Sequence, residues 1–331
     1  MTRSKKLSRT ANAMLNDNRP RVSVLMPAYN SGRYIREAIT SILDQTLGDF
    51  ELIIVDDGSS DDTLEIANQL AVEDSRVRLF SRPNRGVVST RNELVSYARA
   101  ELIAWADSDD VSEPMRLEVQ EACFRKQYDL LSLGGSLLLI DASGCPLAIQ
   151  NFPLELIQGQ HLCSPQTDSP FGASMMRTEA VRAVGGFRQP FSICEDFDLQ
   201  KRLIERGPMR NIPEVLVRYR QHTTNITSYG NLGAGWMAYY STAMELAEER
   251  RSVGADRLQR GEKIVISREE PEYTHPRITR ALVHSAWARR ARASGFAKSA
   301  FKHAVLSVLS APFRSIGWRA LAHIFLRPRI N

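Results

Sequence analysis

Three acidic clusters contain the residues whose types and spacing are best suited to chemistry. They are Asp56-Asp57, Asp107-Ser108-Asp109-Asp110 and Glu195-Asp196. Carboxylates can hold a divalent cation, accept hydrogen bonds from a base or a sugar, or act as a general base. Each cluster also has a purely structural interpretation, which we weigh beside the chemical one.

The first cluster directly follows the apolar run 51–55. An Asx-turn or a helix N-cap explains one of the two carboxylates. It explains the pair less well, because adjacent carboxylates repel each other. A carboxylate here is well placed to accept a hydrogen bond from a base N–H or a ribose hydroxyl.

The second cluster directly follows the apolar run 102–106. Mg²⁺ is often bound by one or two carboxylates together with substrate phosphate oxygens, so a sparse acidic loop fits a metal shared with a diphosphate. A solvated turn in which Asp110 caps the next helix fits equally well. The cluster alone leaves both interpretations open.

The third cluster lies near the start of a predicted helix. Carboxylates in a first helical turn are stabilising for local reasons, and for Glu195-Asp196 alone this interpretation is favoured. A helix N-terminus also lowers a carboxylate pKa, so a general base here needs burial to stay basic. Among the histidines only His222 is suggestively placed, after the strand pattern 217–220, although a lone histidine is more often structural.

The elements that must position these residues alternate between strand and helix. Apolar runs predict buried strands at 22–26, 51–55, 77–80 and 102–106, and helical spacing predicts helices at 34–43, 64–70 and 86–98. Asn30 and Ser31 are predicted to cap the first helix. The alternation predicts an α/β fold with a mainly parallel sheet covered on both faces, whose ligands bind beyond the carboxyl ends of the strands.

The second part of the chain is less regular. We predict a strand over Phe171–Arg177, a short helix over Thr178–Val184, a helix over Glu195–Arg206 and an edge strand over Ile212–Arg220. From about residue 233 onward the pattern is mostly helical.

Composition and charge are those of a globular protein with one asymmetry. Of 331 residues, 43% are hydrophobic and 24% charged, and the net charge is +5. From Tyr273 to the end there are 11 lysines or arginines and no acid, so the preceding residues carry a net charge of −6. Basic ends on a mildly acidic body predict an anionic surface, either a membrane or a nucleic acid, as partner.

Cysteine usage and the N-terminus predict a cytoplasmic protein. The four cysteines, Cys123, Cys145, Cys163 and Cys194, have neither metal-ligand nor redox spacing and are expected to be reduced thiols. No N-terminal stretch has the pattern of a signal peptide, and the longest apolar run, 130–140, is too short to span a bilayer. Through its basic tail the protein is expected on the inner face of the cytoplasmic membrane.

In order and spacing, these pieces resemble the family 2 glycosyltransferases, which are inverting enzymes of the GT-A fold that use nucleotide-sugars. The resemblance runs from about Arg21 to Ser228. It is carried by 22–30, Val55-Asp-Asp-Gly-Ser59, Asn84-x-Gly86, Arg91-Asn92, Asp107-Ser-Asp-Asp110, Gly185-Gly-Phe187, Glu195-Asp-x-Asp-Leu199 with Arg202, and Tyr219-Arg-x-His222. Thr90 and Phe197 are mild departures, since the family usually has Ala and often Trp there.

The resemblance implies a role for each matching position. The residues implied in nucleotide-sugar binding are Pro27, Tyr29, Asp56, Asp57, Arg91, Asp107 and Ser108. Tyr29 would lie against the base, Asp57 would read its edge with Asp56 supporting the loop, Arg91 would lie near the diphosphate and Asp107 would face the ribose.

The same resemblance implies the catalytic and metal-binding residues. Asp196 would be the catalytic base, and Glu195 would help to position the acceptor. Asp109 would ligate Mn²⁺ or Mg²⁺, and His222 would approach the metal or the diphosphate.

The predicted organisation is a mobile basic arm over 1–20, a GT-A catalytic domain over 21–230 and a helical basic C-terminal region over 231–331. The predicted function is metal-dependent transfer of a hexosyl or N-acetylhexosaminyl group, commonly from a UDP-sugar, to a hydroxyl of a glycan or lipid-linked acceptor in cell-surface polysaccharide synthesis. The alternative is a non-catalytic protein that binds a nucleotide-sugar or a polysaccharide on the same fold.

The C-terminal helices have two interpretations. Their apolar side chains, including Phe301, Leu309, Phe313 and Trp318, lie opposite lysines and arginines, which suits a helix in the interface of an anionic membrane. Packing on the catalytic domain with solvated charges is the alternative. Nucleic acid is not expected as a partner, because the tail contains no recognised nucleic-acid-binding module.

Overall fold

A computed structural model describes residues 19–157, 169–222, 235–267 and 276–325. Most of the predicted arm 1–20 and Cys163 lie outside these ranges. Cys123, Cys145 and Cys194 are free thiols, as predicted.

One ten-stranded sheet forms the centre of the molecule. Its strands are β1 (Val22–Ala28), β2 (Phe50–Asp56), β3 (Val77–Ser81), β4 (Leu102–Trp105), β5 (Val111–Ser112), β6 (Ser132–Asp141), β7 (Pro146–Gln150), β8 (Glu155–Leu156), β9 (Met175–Arg177) and β10 (Met209–Gln221). The main order is β3-β2-β1-β4-β9-β6-β10-β5, with β7 beside β6 and β8 beside β10.

The sheet has a parallel half and a mixed half. Strands β3, β2, β1 and β4 are parallel, which follows from the strand–helix alternation of the first 105 residues. Beyond β4, β9 is antiparallel to both β4 and β6, and β6 is parallel to β10. The predicted α/β fold is confirmed, with a mixed rather than a uniformly parallel sheet.

Ten helices accompany the sheet in the described ranges. They are α1 (Ile35–Leu43), α2 (Thr63–Glu73), α3 (Val87–Tyr97), α4 (Arg116–Lys126), α5 (Thr178–Ala183), α6 (Glu195–Ile204), α7 (Gly235–Val253), α8 (Pro276–Ala293), α9 (Ala297–Ser310) and α10 (Ser315–Phe325).

Three local predictions were wrong. Residues 171–173 form a 3₁₀ turn, and only 175–177 form a strand. β10 is not an edge strand, because it pairs with β6 on one side and with β5 and β8 on the other. Neither Asn30 nor Ser31 caps α1 through its side chain. The Asn30 side chain instead accepts a hydrogen bond from the Ser60 N–H at 2.8 Å.

Strands β1, β2 and β4 are buried on both faces, since their side chains alternate between two cores. Leu25, Ile53 and Trp105 lie in one core with side chains of α3, α5, α6 and α7. Val24, Leu52 and Ala104 lie in the other core with α1, α2 and α4. Packing in these two cores on either side of the sheet holds the carboxyl ends of the strands in fixed positions.

Apolar packing joins the predicted C-terminal region to the sheet domain at two places. Helix α7 belongs to the first core, where Tyr240 stacks on Phe197 of α6 at 5.2 Å between ring centroids. The bundle of α8, α9 and α10 packs on β6 and β7 through Ala291 and Ala300. None of the helices in the described ranges combines the length and apolarity needed to span a bilayer.

Candidate active site

The acidic loop 107–110 lies at the carboxyl end of β4 and is held in place by β10. Arg220 donates from its backbone N–H to Asp110 Oδ1 at 2.7 Å and from Nε to the Asp109 carbonyl at 2.8 Å. On the opposite side, Ser108 Oγ lies 2.7 Å from Ser31 Oγ, just past β1. The loop is therefore positioned by two strands distant in sequence.

Asp109 and His222 meet although 113 residues separate them. His222 Nε2 lies 2.8 Å from Asp109 Oδ2. The His222 ring also lies against Tyr34, with 5.0 Å between centroids. Within the described ranges, no three side chains of His, Cys, Asp or Glu come together as a metal site.

Arg91 of α3 lies at the centre of the site in an aromatic cage. Its guanidinium lies 4.6 Å from the centre of Phe171, 5.6 Å from Phe187 and 5.7 Å from Trp105. Such faces attract a cation and fix its plane. Arg91 is therefore held in one orientation without using its hydrogen-bonding groups.

Arg91 pairs with carboxylates on two elements. Its Nη1 lies 2.8 Å from Glu195 Oε1 and its Nη2 lies 3.9 Å from Asp107 Oδ1. Yet among the described residues the buried Nε and Nη1 have no partner of hydrogen-bond geometry, so the contact to Glu195 is an ion pair only. Buried donors without acceptors are costly, which marks Arg91 as a binding group for an anion.

Glu195 and Asp196 begin helix α6 and face this site. The preceding residue, Cys194, has a left-handed backbone with φ of 60°, a strained conformation for a non-glycine residue. Glu195 is buried, whereas Asp196 is half-buried and its Oδ1 accepts a hydrogen bond from the Phe197 N–H at 2.7 Å.

Burial controls the charge of the site carboxyls. It raises the pKa of Glu195 to about 7, against the attraction of Arg91 and with the repulsion of Asp196. Burial also raises the pKa of Asp107 to about 6, although 30% of its side chain remains accessible, with Arg91 opposing and Asp109 reinforcing the shift. The pKa of Asp110 is raised by burial and by its acidic neighbours, and its Oδ2 has no hydrogen-bond partner in the part of the chain that the structure describes.

Asp56 and Asp57 organise the loops after β2 and β3. Asp56 accepts hydrogen bonds from Ser81 Oγ at 2.9 Å and from the Ser59 N–H at 3.2 Å. Asp57 pairs with Arg82 and accepts from the N–H groups of Arg85 and Gly86 at 2.8 and 3.0 Å. Asp57 therefore fixes the entrance to α3, the helix that carries Arg91.

Tyr29 and Pro27 lie on the neighbouring strand. Pro27 is half-buried in β1 opposite Val55, and Tyr29, just beyond the strand, is half exposed. The backbone of Asp57 donates to the Ala28 carbonyl at 2.8 Å, so Tyr29 and Asp57 lie near each other at the carboxyl edge of the sheet.

Sequence reasoning missed several residues that shape the site. A Cβ on Gly172 would lie 2.5 Å from Asp107 Oδ2, so only glycine admits the carboxylate there. Buried Arg116 lies beneath the acidic loop, with Nη2 2.6 Å from the Trp105 carbonyl, and burial lowers its pKa to about 10. Neither has a local sequence signal, since each depends on a contact across the fold.

The motif Gly185-Gly-Phe187 positions one wall of the aromatic cage. Asn92 exchanges two 2.8 Å hydrogen bonds with the backbone of Phe187. A Cβ on Gly186 would lie 2.5 Å from Asn92 Oδ1. Adjacent residues of α3 thus supply the cation and hold its cage.

Asp198, the third acid of the helix α6 motif, is structural. It is fully buried and pairs with Arg202 Nη2 at 2.8 Å and with Arg188. Arg188 also pairs with Asp256 at 2.7 Å. Asp256 in turn pairs with Arg250 of α7 at 2.5 Å. This interior ion network ties the helix that carries Asp196 to α7.

The sequence has relatives among the glycosyltransferases. The family profile "Glycosyl transferase family 2" matches residues 23–185. EpsE of Bacillus subtilis, which is assigned as a glycosyltransferase, is 35% identical over 207 residues that cover 61% of this chain and 73% of EpsE. Chondroitin synthase of Escherichia coli is 33% identical over 206 residues, or 62% of this chain and 30% of the synthase. The chain spans less than a third of that relative.

A solved structure shares the fold. TarS residues 1–349 of S. aureus, in complex with UDP-GlcNAc, match with a TM-score of 0.59 at 15% identity, covering 92% of this chain and 90% of TarS 1–349. At that identity the likeness shows the fold alone, and it agrees with the predicted GT-A type. With the family profile and the coverage of EpsE, the chain belongs to family 2 of the glycosyltransferases.

Proposed function

We propose that this glycosyltransferase moves a sugar, with inversion, from a UDP-sugar to a hydroxyl of a glycan or lipid-linked acceptor. The observation that carries the proposal is Arg91. Its buried Nε has no hydrogen-bond acceptor among the described residues, its Nη1 meets Glu195 only as an ion pair, and its Nη2 lies 3.9 Å from Asp107. A guanidinium with unused donors fits a diphosphate, whose oxygens accept paired hydrogen bonds.

The base of the donor would lie against Tyr29, next to the loop that Asp57 organises. Tyr29 is half exposed and offers a ring face, and the Asp57 carboxylate at the same sheet edge is fixed by Arg82 and by the N–H groups of Arg85 and Gly86. Asp107 and Ser108 would lie along the ribose and the first phosphate. TarS is recorded with UDP-GlcNAc, which supports a UDP-linked donor.

Asp109 and His222 would hold a divalent cation together with the donor's diphosphate. One carboxylate and one imidazole 2.8 Å apart fit a shared ion whose other ligands come from phosphate and water. The unpartnered Oδ2 of Asp110 lies in the same acidic loop. Bound Mn²⁺ or Mg²⁺ supplies neutralisation of charge on the departing nucleoside diphosphate.

Asp196 is the proposed general base. Its carboxylate takes the proton of the acceptor hydroxyl as that oxygen attacks the anomeric carbon opposite the leaving group. The bond between that carbon and the diphosphate oxygen breaks, and Arg91 stabilises the charge on the departing phosphate. Glu195, paired with Arg91, positions the acceptor side of the pocket.

The acceptor is proposed to be a growing surface polysaccharide, presented at the inner face of the cytoplasmic membrane. Relatives named chondroitin synthase and hyaluronan synthase support a polysaccharide product. Because the chain spans less than a third of each, this part rests on the shared catalytic segment.

A nucleotide-release assay across UDP- and GDP-sugars, with Mn²⁺, Mg²⁺ or EDTA, tests the proposal. We expect metal-dependent release of UDP from one donor. Arg91→Gln should weaken UDP binding by calorimetry, Arg91→Lys should restore it only in part, and exposed Arg125→Gln is the control. Tight UDP binding with no turnover in the presence of an acceptor extract would favour the non-catalytic binding protein instead.

A further inference from the structure

The corner between α9 and α10 is a closely packed hairpin. A Cβ on Gly317 would lie 2.4 Å from the Val308 backbone nitrogen, so the two helices touch backbone to backbone at this point. The four residues between them include buried Ala311. Residues 309 and 318, each next to this contact, are therefore brought to the same corner.

This corner exposes three large apolar side chains, which we call the apolar corner: Leu309, Phe313 and Trp318. Their exposed fractions are 70%, 100% and 54%. Trp318 Nε1 donates to the Pro312 carbonyl at 2.8 Å, which holds the indole across the turn. Because its polar atom is already bonded, the ring can enter an apolar phase without losing a hydrogen bond.

Charge around the apolar corner has one sign. Arg314 and Arg319 are exposed within and beside it. Residues 276–325 contain nine lysines or arginines and no acid, whereas the chain before residue 273 has a net charge of −6. An apolar tip bordered by arginines is complementary to a layer with anionic headgroups above hydrocarbon.

The bundle that bears this corner is fixed to the transferase domain. Lys302 Nζ lies 2.5 Å from Asp141 Oδ2 at the end of β6. Ser307 Oγ donates to the Ala281 carbonyl of α8 at 2.6 Å, and Ala300 and Ala304 are fully buried. The inner face of α9 is thus occupied, and attachment at the corner would set the orientation of the whole enzyme.

We propose that the apolar corner inserts into the headgroup region of an anionic lipid bilayer, with Arg314 and Arg319 against the lipid phosphates. This deepens the proposed membrane location by assigning the element that makes the contact. It is independent of the transfer chemistry, so either proposal can fail alone.

The test is co-sedimentation of the full chain with vesicles of phosphatidylcholine alone or with 30% phosphatidylglycerol. We expect Leu309→Ser with Phe313→Ser to lower the partition coefficient on anionic vesicles at least tenfold. Arg314→Gln with Arg319→Gln should remove most of the preference for anionic vesicles, about tenfold or more for two charges near the surface. The control is Val265→Ser. Val265 lies outside the bundle, and its exposed fraction of 92% falls between those of Leu309 and Phe313.

Two further measurements separate the outcomes. Nucleotide release in solution and the melting temperature should be unchanged in all of these variants, because every altered side chain is exposed. Vesicle binding unaffected by Leu309→Ser with Phe313→Ser would overturn the assignment. Absence of binding by the wild-type chain would also overturn it, and if the same double variant then turned a dimer into a monomer, the corner would be a protein interface.

Discussion

The buried carboxylates of the active site and those of the interior ion network differ in their partners. At the site, burial raises the pKa of Glu195 and Asp107, and Arg91 counteracts it only in part. In the interior, burial of Asp256 is outweighed by hydrogen bonds from Arg188 and the Gln259 N–H, and its pKa is lowered. The carboxylates of both regions are buried, and the two regions differ in how many hydrogen-bond donors and cations contact each carboxylate.

The difference separates function from structure within one short motif. Asp196 and Asp198 are two residues apart on α6, and each is an acid near a helix N-terminus. Asp198 is satisfied by two arginines, whereas Asp196 faces the pocket with Glu195 and Arg91. A carboxylate that the fold has left under-satisfied is available to bind or to accept a proton.

The largest expected effect is on turnover in Asp196→Asn. Loss of the proposed general base should lower kcat about 10²- to 10⁴-fold. UDP binding and the melting temperature should stay close to wild type, because the side chain is half-buried and belongs to no ion pair of the interior network. Steady-state kinetics with calorimetry and thermal melting checks this. A near-normal kcat in this variant would show that Asp196 is not the general base.

Asp198→Asn should have the opposite phenotype. The substitution removes the buried negative charge that Arg188 and Arg202 share. Because unpaired buried charges are costly, the free energy of unfolding should fall by about 3–5 kcal/mol. Urea unfolding measures this loss. The protein that remains folded should keep its UDP affinity. A variant that is as stable as wild type but inactive would contradict the structural role of Asp198.

Asp141→Asn tests a paired carboxylate at the junction with the C-terminal bundle. Burial tends to raise the pKa of Asp141, but the His303 ring 3.0 Å away, the Lys302 ammonium and two backbone N–H groups hold it well below its usual range. We expect a loss of about 2–3 kcal/mol at pH 7 and faster proteolysis within α8–α10.

The pH dependence of Asp141→Asn has a definite sign. A lowered folded pKa stabilises the native state above the unfolded value of 3.8, and this contribution is lost as pH falls. The gap between wild type and variant should therefore narrow below about pH 4. A gap that is constant from pH 7 to pH 3 would show that the carboxylate charge is not responsible.

The smallest effect is expected for Glu195→Gln. Its pH dependence has the opposite sign to that of Asp141→Asn. The folded pKa of about 7 exceeds the ordinary 4.5, so the native protein holds more protons between these values and the Glu195 contribution to stability falls as pH rises through them. The melting temperature of the variant should rise relative to wild type between pH 5 and pH 8, by the equivalent of about 1–2 kcal/mol. Exposed Glu179→Gln is the control, and a flat difference would mean that Glu195 is ionised throughout.

Much of the fold was predictable because local signals agreed with it. Strands β1 to β4 and helices α1 to α3 follow from apolar runs and helical spacing, with no bound off by more than three residues. Predictions failed where a long-range contact decides. An edge strand is predicted over 212–220, yet β10 pairs with other strands on both sides and its Arg220 is buried against the acidic loop.

The sequence by itself determined the family and the acidic residues that could do chemistry, because motif order and residue type are local properties of the chain. Tertiary structure decided how each acid is paired. Asp198 and Asp256 become interior ion pairs, Glu195 and Asp107 lie beside a caged arginine, and Asp109 meets a histidine 113 residues away. The physical reason is that a carboxylate's charge state depends on burial and on donors brought from distant segments, which no spacing along the chain encodes.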